Sequence, residues 1–480
     1  MSKTSGSSGR NHRAHDKFIT ASKCGQLSVL RTLLRTNNLN FNHVDSSGKV
    51  ALYYSVINQD IAMTTDLLDM GADVNHKSYV TYHIDNQLYT CYETVIVTAA
   101  RIGNEALLQL LVSYGANVDS QTEIPRRDDF WCRDKSALHF TCEDNNVMAV
   151  KILLSEYADV NLEDRAGELA IHKTVRCRNC KTQAEILRLL CEHGSDVDWP
   201  SKMECSPLYL ATFYGCYRKV NLLLSYAADV NKLCMRENSY GCPLHVAAAK
   251  DRMDLADLLI SYGARLNIRN ALNCSPLQLN INLLSRSDIV QYLIYHGAVV
   301  DGVDHWGYTV MAACIRNMRL DCESLAKLFV FTGYNLWVDQ WLRPEELRCS
   351  VPLRLVSNRS TQYQQCTTNE TYSTRYSDDQ SESSDQQDEN EEFQMPDIPV
   401  PAGRVKELCD WLLKKQCNPL RLVDACRITI RRNVQIAMED RSIVGAIDSL
   451  YLPQQLKDFL LLRPWLNLPK ITPKEKYSKD

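Results

Sequence analysis

The residues whose types and spacing could do chemistry are Cys177 and Cys180, a Cys-x-x-Cys pair, with Cys191 and His193 downstream. Thiolates and imidazoles are the donors that a tetrahedral zinc ion takes. A second Cys-x-x-Cys is absent, however. The pair sits in a small insertion between two helix-like stretches, and Cys191 and His193 belong to the second stretch and its end. We therefore expect no metal. The chain also has no phosphate-cradling glycine loop and no nucleophile motif, so we expect no catalytic residue and no cofactor. Arg126, Arg127, Phe130 and Trp131 offer a chemistry of contact instead. Arginine mixed with aromatics is the composition of binding hot spots, which makes these four candidates for substrate binding. The plainer alternative is that Trp131 packs down on the next structural unit of the chain.

The elements that position these residues are repeats. Gly241-Cys242-Pro243-Leu244-His245-Val246-Ala247-Ala248-Ala249 reads as a short helix with proline at its first position, where no N–H is needed. Leu255, Leu258 and Leu259 form the apolar face of a second helix, and Gly263 supplies the left-handed residue that ends it. Such a unit cannot bury its own apolar face and needs copies beside it. Endings like Gly71-Ala72-Asp73-Val74-Asn75 recur with last residues at 42, 75, 119, 161, 198, 231, 267, 301 and 337, spaced 33, 44, 42, 37, 33, 36, 34 and 36 apart. First-helix motifs recur in phase, among them Ser136-Ala137-Leu138-His139, Leu169-Ala170-Ile171-His172 and Cys242-Pro243-Leu244-His245.

A floor of 33 residues with insertions is the ankyrin period. On these motifs the chain resembles the ankyrin-repeat family over roughly residues 16–341. The resemblance implies an all-α ankyrin-repeat solenoid of about nine to ten helix-turn-helix repeats with hairpin loops. It also implies that His139, His172 and His245 make a turn-stabilising hydrogen bond. Extra residues fall near Ser78–Tyr92 and near Thr122–Trp131, in loops joining one repeat to the next, where ankyrin arrays project hairpins beside the binding face.

Composition bounds the rest. A chain of 480 residues, 45% hydrophobic and 23% charged, is long for one compact core but suits an array growing in one dimension. Its net charge of −4 gives no argument for nucleic acid or membrane partners. Residues 1–15 are polar and basic with no apolar core to make a secretory signal, and we expect them to be disordered. Nineteen cysteines without such a signal point to reduced thiols and a cytoplasmic, or also nuclear, location.

The pattern breaks at 358–400. Glu370–Asp397 carries ten acidic residues against the single Arg375, so this stretch is expected to be a disordered insertion within the array, ankyrin-like over 16–357. A bare interdomain linker is the alternative. Residues 401–417, with Val405, Leu408 and Leu412 on one face, read as the second helix of a last ankyrin-like repeat.

Asn418-Pro419 then opens a helix in which Leu422, Cys426 and Ile430 are four apart and form a stripe suited to docking in a groove. Arg427, Arg431 and Arg432 read as a solvated or interface-flanking basic face. Ile447 to Leu460 follows, containing Leu450-Tyr451-Leu452-Pro453. In this order and spacing, 418–465 resembles a small helical SOCS box, with 466–480 a flexible tail. Ankyrin repeats followed by a SOCS box is the layout of the ankyrin-repeat and SOCS-box proteins. The resemblance implies elongin B and elongin C as partners at Leu422, Cys426 and Ile430. It implies a cullin with its RING-box protein at Leu450, Leu452 and Pro453, with Leu456 and Phe459 folding the box on itself. A protein substrate of unknown identity would sit on the repeats, and the chain would be a non-catalytic substrate receptor. One departure stands out: Tyr451 replaces the first proline of the family's Leu-Pro-apolar-Pro, which favours an alternative as a scaffold or competitive inhibitor.

Overall fold

The computed structural model describes residues 8–36, 39–84, 87–123, 134–176, 180–202, 204–234, 240–283, 287–305, 307–317, 322–332 and 334. Towards the C-terminus it describes 427–428, 430–431, 434, 438, 441–450, 452 and 454–462. Two compact units divide at Asp229 and Val230.

In the first unit the described residues form six helix pairs. They are α1 (Ser8–Lys23) with α2 (Leu27–Thr36), α3 (Ala51–Ile57) with α4 (Ile61–Asp69), and α5 (Val95–Ile102) with α6 (Glu105–Ser113). Next come α7 (Ala137–Glu143) with α8 (Val147–Ser155), α9 (Ala170–Arg176) with α10 (Cys180–Glu192), and α11 (Pro207–Phe213) with α12 (Tyr217–Ser225). The second unit holds α13 (Pro243–Ala249) with α14 (Met253–Ser261), α15 (Pro276–Leu283) with α16 (Ser287–His296), and α17 (Val310–Asn317) with α18 (Cys322–Thr332). Two short helices follow, α19 (Val444–Ser449) and α20 (Gln454–Leu460). Among the described helices none is long and apolar enough to cross a membrane.

Small residues let first helices stack closely: Ala51, Ala99, Ala137, Ala170 and Ala211 are completely covered or nearly so. A residue with positive φ then turns the chain, Gly103 at +77° being one case. The second helix starts on a side-chain cap at Asp60, Asn104 and Asn146, which accept from Met63, Leu107 and Ala149. Leucines such as Leu107, Leu108 and Leu111 close each layer from the other side.

Two further bonds tie layer to layer. The last Asn or Asp of each ending accepts the backbone N–H of the next ending's third residue. In the first unit Asn42 reaches Asp73 (2.9 Å), Asn75 reaches Asn117 (2.7 Å), Asp119 reaches Asp159 (2.8 Å), Asn161 reaches Asp196 (2.9 Å) and Asp198 reaches Asp229 (2.9 Å). In the second unit Asn231 reaches Arg265 and Asn267 reaches Val299, both at 2.8 Å. Where the residue is Asn161, its amide also donates to the Gly194 carbonyl at 3.1 Å, which an aspartate cannot do.

The second tie is histidine. Nδ1 of His139, His172 and His245 accepts the N–H of Ser136, Leu169 and Cys242 at the start of the helix. The proton is thereby fixed on Nε2, which donates to the carbonyls of Glu168, Trp199 and Cys274 in the following layer at 3.0, 3.0 and 2.9 Å. Burial pushes all three imidazoles down to about 4, so they are neutral.

The first insertion is an antiparallel hairpin of β1 (Ser78–Ile84) and β2 (Gln87–Glu93), registered Ser78 to Glu93 and Ile84 to Gln87. Val80 and Cys91 form a buried apolar cross-strand pair, and Ser78 and Glu93 at the base are buried too. Of the stretch 1–15 expected to be disordered, residues 8–15 are helical, since α1 begins at Ser8; residues 1–7 lie outside the described residues. His15 accepts the N–H of Asn40 at 2.9 Å, and Phe18, Ile19 and Ala21 are buried. Polar residues here extend a helix whose later turns carry the apolar face.

Candidate functional site

The C-terminal segment is built onto the end of the ankyrin pairs of its own unit. Ile443, Ile447, Leu460 and Leu461 form a buried cluster, on which Tyr295 of α16, Val434, Val444 and Leu452 pack. The Ile443 N–H donates to the His296 carbonyl at 2.8 Å, and Ser442 Oγ lies 2.6 Å from His296 Nδ1. Gly297 has φ +107°, and a Cβ built there would stand 2.9 Å from Ile443 Cγ2. A residue free of side chain is what lets Ile443 seat.

Two guanidiniums close this joint. Arg431 donates to the Leu460 carbonyl (2.7 Å) on one side and the Ile294 carbonyl (2.8 Å) on the other. Arg427 donates to the Phe331 carbonyl at 2.6 Å. Ile294 and Phe331 lie in the last turns of α16 and α18, where carbonyls lack helical partners and the helix dipole favours a cation. Arg427 is 1% exposed and Arg431 7%, so of the two alternatives, a solvated or an interface-flanking basic face, these two residues are not solvated; Arg432 lies outside the described residues. Burial, with Arg427 beside it, lowers the Arg431 guanidinium to about 10, still charged at neutral pH.

Of the expected elongin stripe, Leu422 and Cys426 lie outside the described residues. Ile430 is on helical backbone and 41% exposed, one residue from buried Arg431. Adjacent residues on a helix point about 100° apart, so one side docks while the next faces outward. In the cullin segment Leu450 is 39% exposed, Leu452 is half-buried on the cluster, and Pro453, like Tyr451, lies outside the described residues. Leu456 is exposed rather than folded inward, a correction; Leu460, Leu461 and Leu462 take the inner positions.

On the ankyrin side, Arg126, Arg127, Phe130 and Trp131 lie outside the described residues, as do 358–400, 401–417 and 466–480. Their flanks are placed: Tyr92 of the hairpin exchanges both backbone bonds with Glu123, at 2.6 and 2.9 Å, so both insertions spring from one edge. Beside this edge lies a charge network that sequence reasoning missed. Lys173 is buried with its ammonium 2.6 Å from Asp164 and 2.7 Å from Glu168. Lys135 meets Glu143 at 2.8 Å, and Arg176 pairs with Glu168. The cations beside them, Lys173 foremost, hold the Asp164 and Glu168 carboxyls below the usual range despite burial. Spacing gave only a faint signal, since these partners lie five to nine residues apart across the turn that leads into each first helix rather than at helical spacing.

Of the four candidate zinc donors, only Cys191 and His193 have described side chains. Cys177 and the Cys180 side chain lie outside the described residues, burial pushes the Cys191 thiol up to about 12, and His193 Nδ1 lies 2.8 Å from its own helix's Leu189 carbonyl. A buried lysine organises the place instead. Lys219 of α12 donates to the Thr174 carbonyl near the end of α9 (2.8 Å) and to Gln183 of α10.

Comparison with known proteins follows this geometry. Residues 79–164 and 138–234 match the family model for ankyrin repeats (3 copies), and residues 242–271 match that for a single ankyrin repeat. Residues 418–461 match the SOCS box model. A fowlpox virus protein named for ankyrin repeats is 31% identical over 136 residues, 28% of this chain and 29% of its own. Human transient receptor potential cation channel subfamily A member 1 is 24% identical over 322 residues, 59% of this chain and 27% of the channel. Human inversin is 24% identical over 243 residues, 50% of this chain and 21% of inversin. The chain thus spans less than a third of the length of these curated relatives.

Proposed function

The chain belongs to the ankyrin-repeat and SOCS-box proteins, whose parts are protein-interaction modules, and we propose that it is the substrate receptor of a cullin-RING ubiquitin ligase. Leu422, Cys426 and Ile430 anchor elongin C, with elongin B alongside. Leu450, Leu452 and Pro453 meet the cullin and its RING-box protein. The ankyrin surface, with Arg126, Arg127, Phe130 and Trp131 as its first candidates, holds a protein substrate. The chain is not an enzyme in this reading. It supplies proximity, raising the effective concentration of a substrate lysine near the charged conjugate. A cytoplasmic or nuclear location belongs to the same reading.

The observation that carries it is the box at 418–461, whose Ile430 points outward while Arg431, one residue on, is buried against the array. In this reading Leu422 and Cys426 extend that outward side into an apolar stripe, which a partner covers. Co-purification with elongin B and C tests this, comparing the natural chain with a Leu422→Ser/Cys426→Phe double variant. A stoichiometric complex lost in the variant supports the reading; a folded natural chain that ignores the elongins defeats it. Tyr451 in place of proline keeps a scaffold or inhibitor role in view, and binding of elongins without a cullin would select it.

A further inference from the structure

The outer side of the second helices carries an open groove of about 630 Å³ in the first unit. Lys151 of α8, Lys181 and Arg188 of α10 and Arg218 of α12 line it, over a floor that includes Leu189 and Leu222. Its single carboxylate, Glu185, is occupied by Lys151 at 2.8 Å. Lys181, Arg188 and Arg218 are exposed and make no hydrogen bond or ion pair among the described residues. Three exposed cations line one trough whose single carboxylate is already paired with Lys151. Cations gathered without internal partners serve complementarity to something outside rather than the fold.

We propose that this groove binds an acidic, extended segment of a partner protein, with apolar residues between its carboxylates. Carboxylates of the segment pair with Arg188 and Arg218, whose planar forks suit bidentate contacts. Apolar side chains between them rest on Leu189 and Leu222. Chemistry favours a peptide over a nucleic acid. Three cations are few for a phosphate backbone, and the lining is partly apolar, which suits a peptide's side chains. The groove is remote in sequence from the box. If the chain is the ligase receptor proposed above, the groove names a class of substrate for it; the binding itself does not depend on that reading.

The test uses the full chain and a fluorescein-labelled decapeptide alternating glutamate and leucine, read by fluorescence anisotropy. The natural chain is expected to bind it, more weakly as salt rises, and to ignore the glutamine–leucine counterpart. An Arg188→Gln/Arg218→Gln variant is expected to lose about tenfold or more in affinity while its melting temperature and elongin co-purification stay unchanged. Both side chains are exposed, so folding is not at stake. Equal affinity in the variant, equal binding of the glutamine peptide, or a single-stranded RNA that binds more tightly and displaces the peptide would each overturn the proposal. Failure here with elongin binding intact removes the groove and leaves the receptor reading standing.

Discussion

Arg431 and Ile294 lie 137 positions apart, and a single guanidinium nitrogen bonds the carbonyl of one ankyrin helix while its sister nitrogen bonds Leu460 at 2.7 Å. Replacing this side chain strips a buried joint of its donors. For Arg431→Met we expect a loss of about 3 kcal/mol in the local stability of the C-terminal segment, because two buried carbonyls lose a charged donor. Hydrogen exchange checks it: protection should collapse over 443–461 and persist over 243–283. Unchanged protection at 443–461 would show that the apolar cluster alone holds the segment.

Ile430 gives the complementary prediction. With 41% of its surface exposed, Ile430→Ser should leave the melting temperature within a degree or two and weaken elongin C binding about tenfold or more. Titration calorimetry on the full chain separates the two effects. A large drop in melting temperature with intact binding would place this side chain in the fold instead.

Acid should weaken the array through its histidines. His139, His172 and His245 sit at about 4 when folded against an ordinary 6.5. The unfolded chain therefore binds more protons than the folded one between pH 6.5 and 4. Stability is complete above 6.5 and falls as pH drops, by about 1.4 kcal/mol per pH unit for each imidazole in that window. Thermal melts from pH 7.5 to 4.5 read the slope. His139→Gln should flatten it by a third of the three-histidine contribution while lowering the melting temperature at pH 7.5.

The ladder predicts a graded pair. Asn161→Asp keeps the oxygen that accepts from Asp196 but loses the donor to Gly194, at a cost of about 0.5–1 kcal/mol; Asn161→Ala loses both, at about 1–2 kcal/mol. Urea melts of the two variants should rank in that order.

Lys173→Met should be the most damaging of these changes, at about 3–5 kcal/mol, since it leaves the Asp164 and Glu168 carboxylates buried without their ammonium. Lowering the pH towards 4 should protonate them and narrow the stability gap to the natural chain, while both chains weaken through the histidines they share.

The repeats were legible because their period is enforced by bonds from fixed positions. An ending that closes on Asn or Asp does so because that oxygen holds the next layer, and the recurring histidine bridges two layers at once. The box was legible from the order of its two segments. The burial of Arg427 and Arg431 was hidden because arginine is seldom buried unless paired, and two of their three carbonyl partners, Phe331 and Ile294, lie 96 and 137 residues away in sequence. Val434 on the same helical row held the clue that this face was inward. Leu456 went the other way: spacing alone could not decide which leucine of α20 turns inside, and packing against Tyr295 and Ile443 is tertiary information.

Gly297 has a mechanical consequence. Ile443 sits in the hollow left by its missing side chain, and the guanidiniums fasten the joint on either flank. If the chain is the receptor proposed above, this joint would leave it no swivel there. Cargo gripped by α13–α18 would be presented at one bearing relative to the box, much as a jig holds a workpiece to a drill. Which lysines come within reach would then depend on a single absent methyl group, and Gly297→Val would act as a wedge that loosens aim without touching grip.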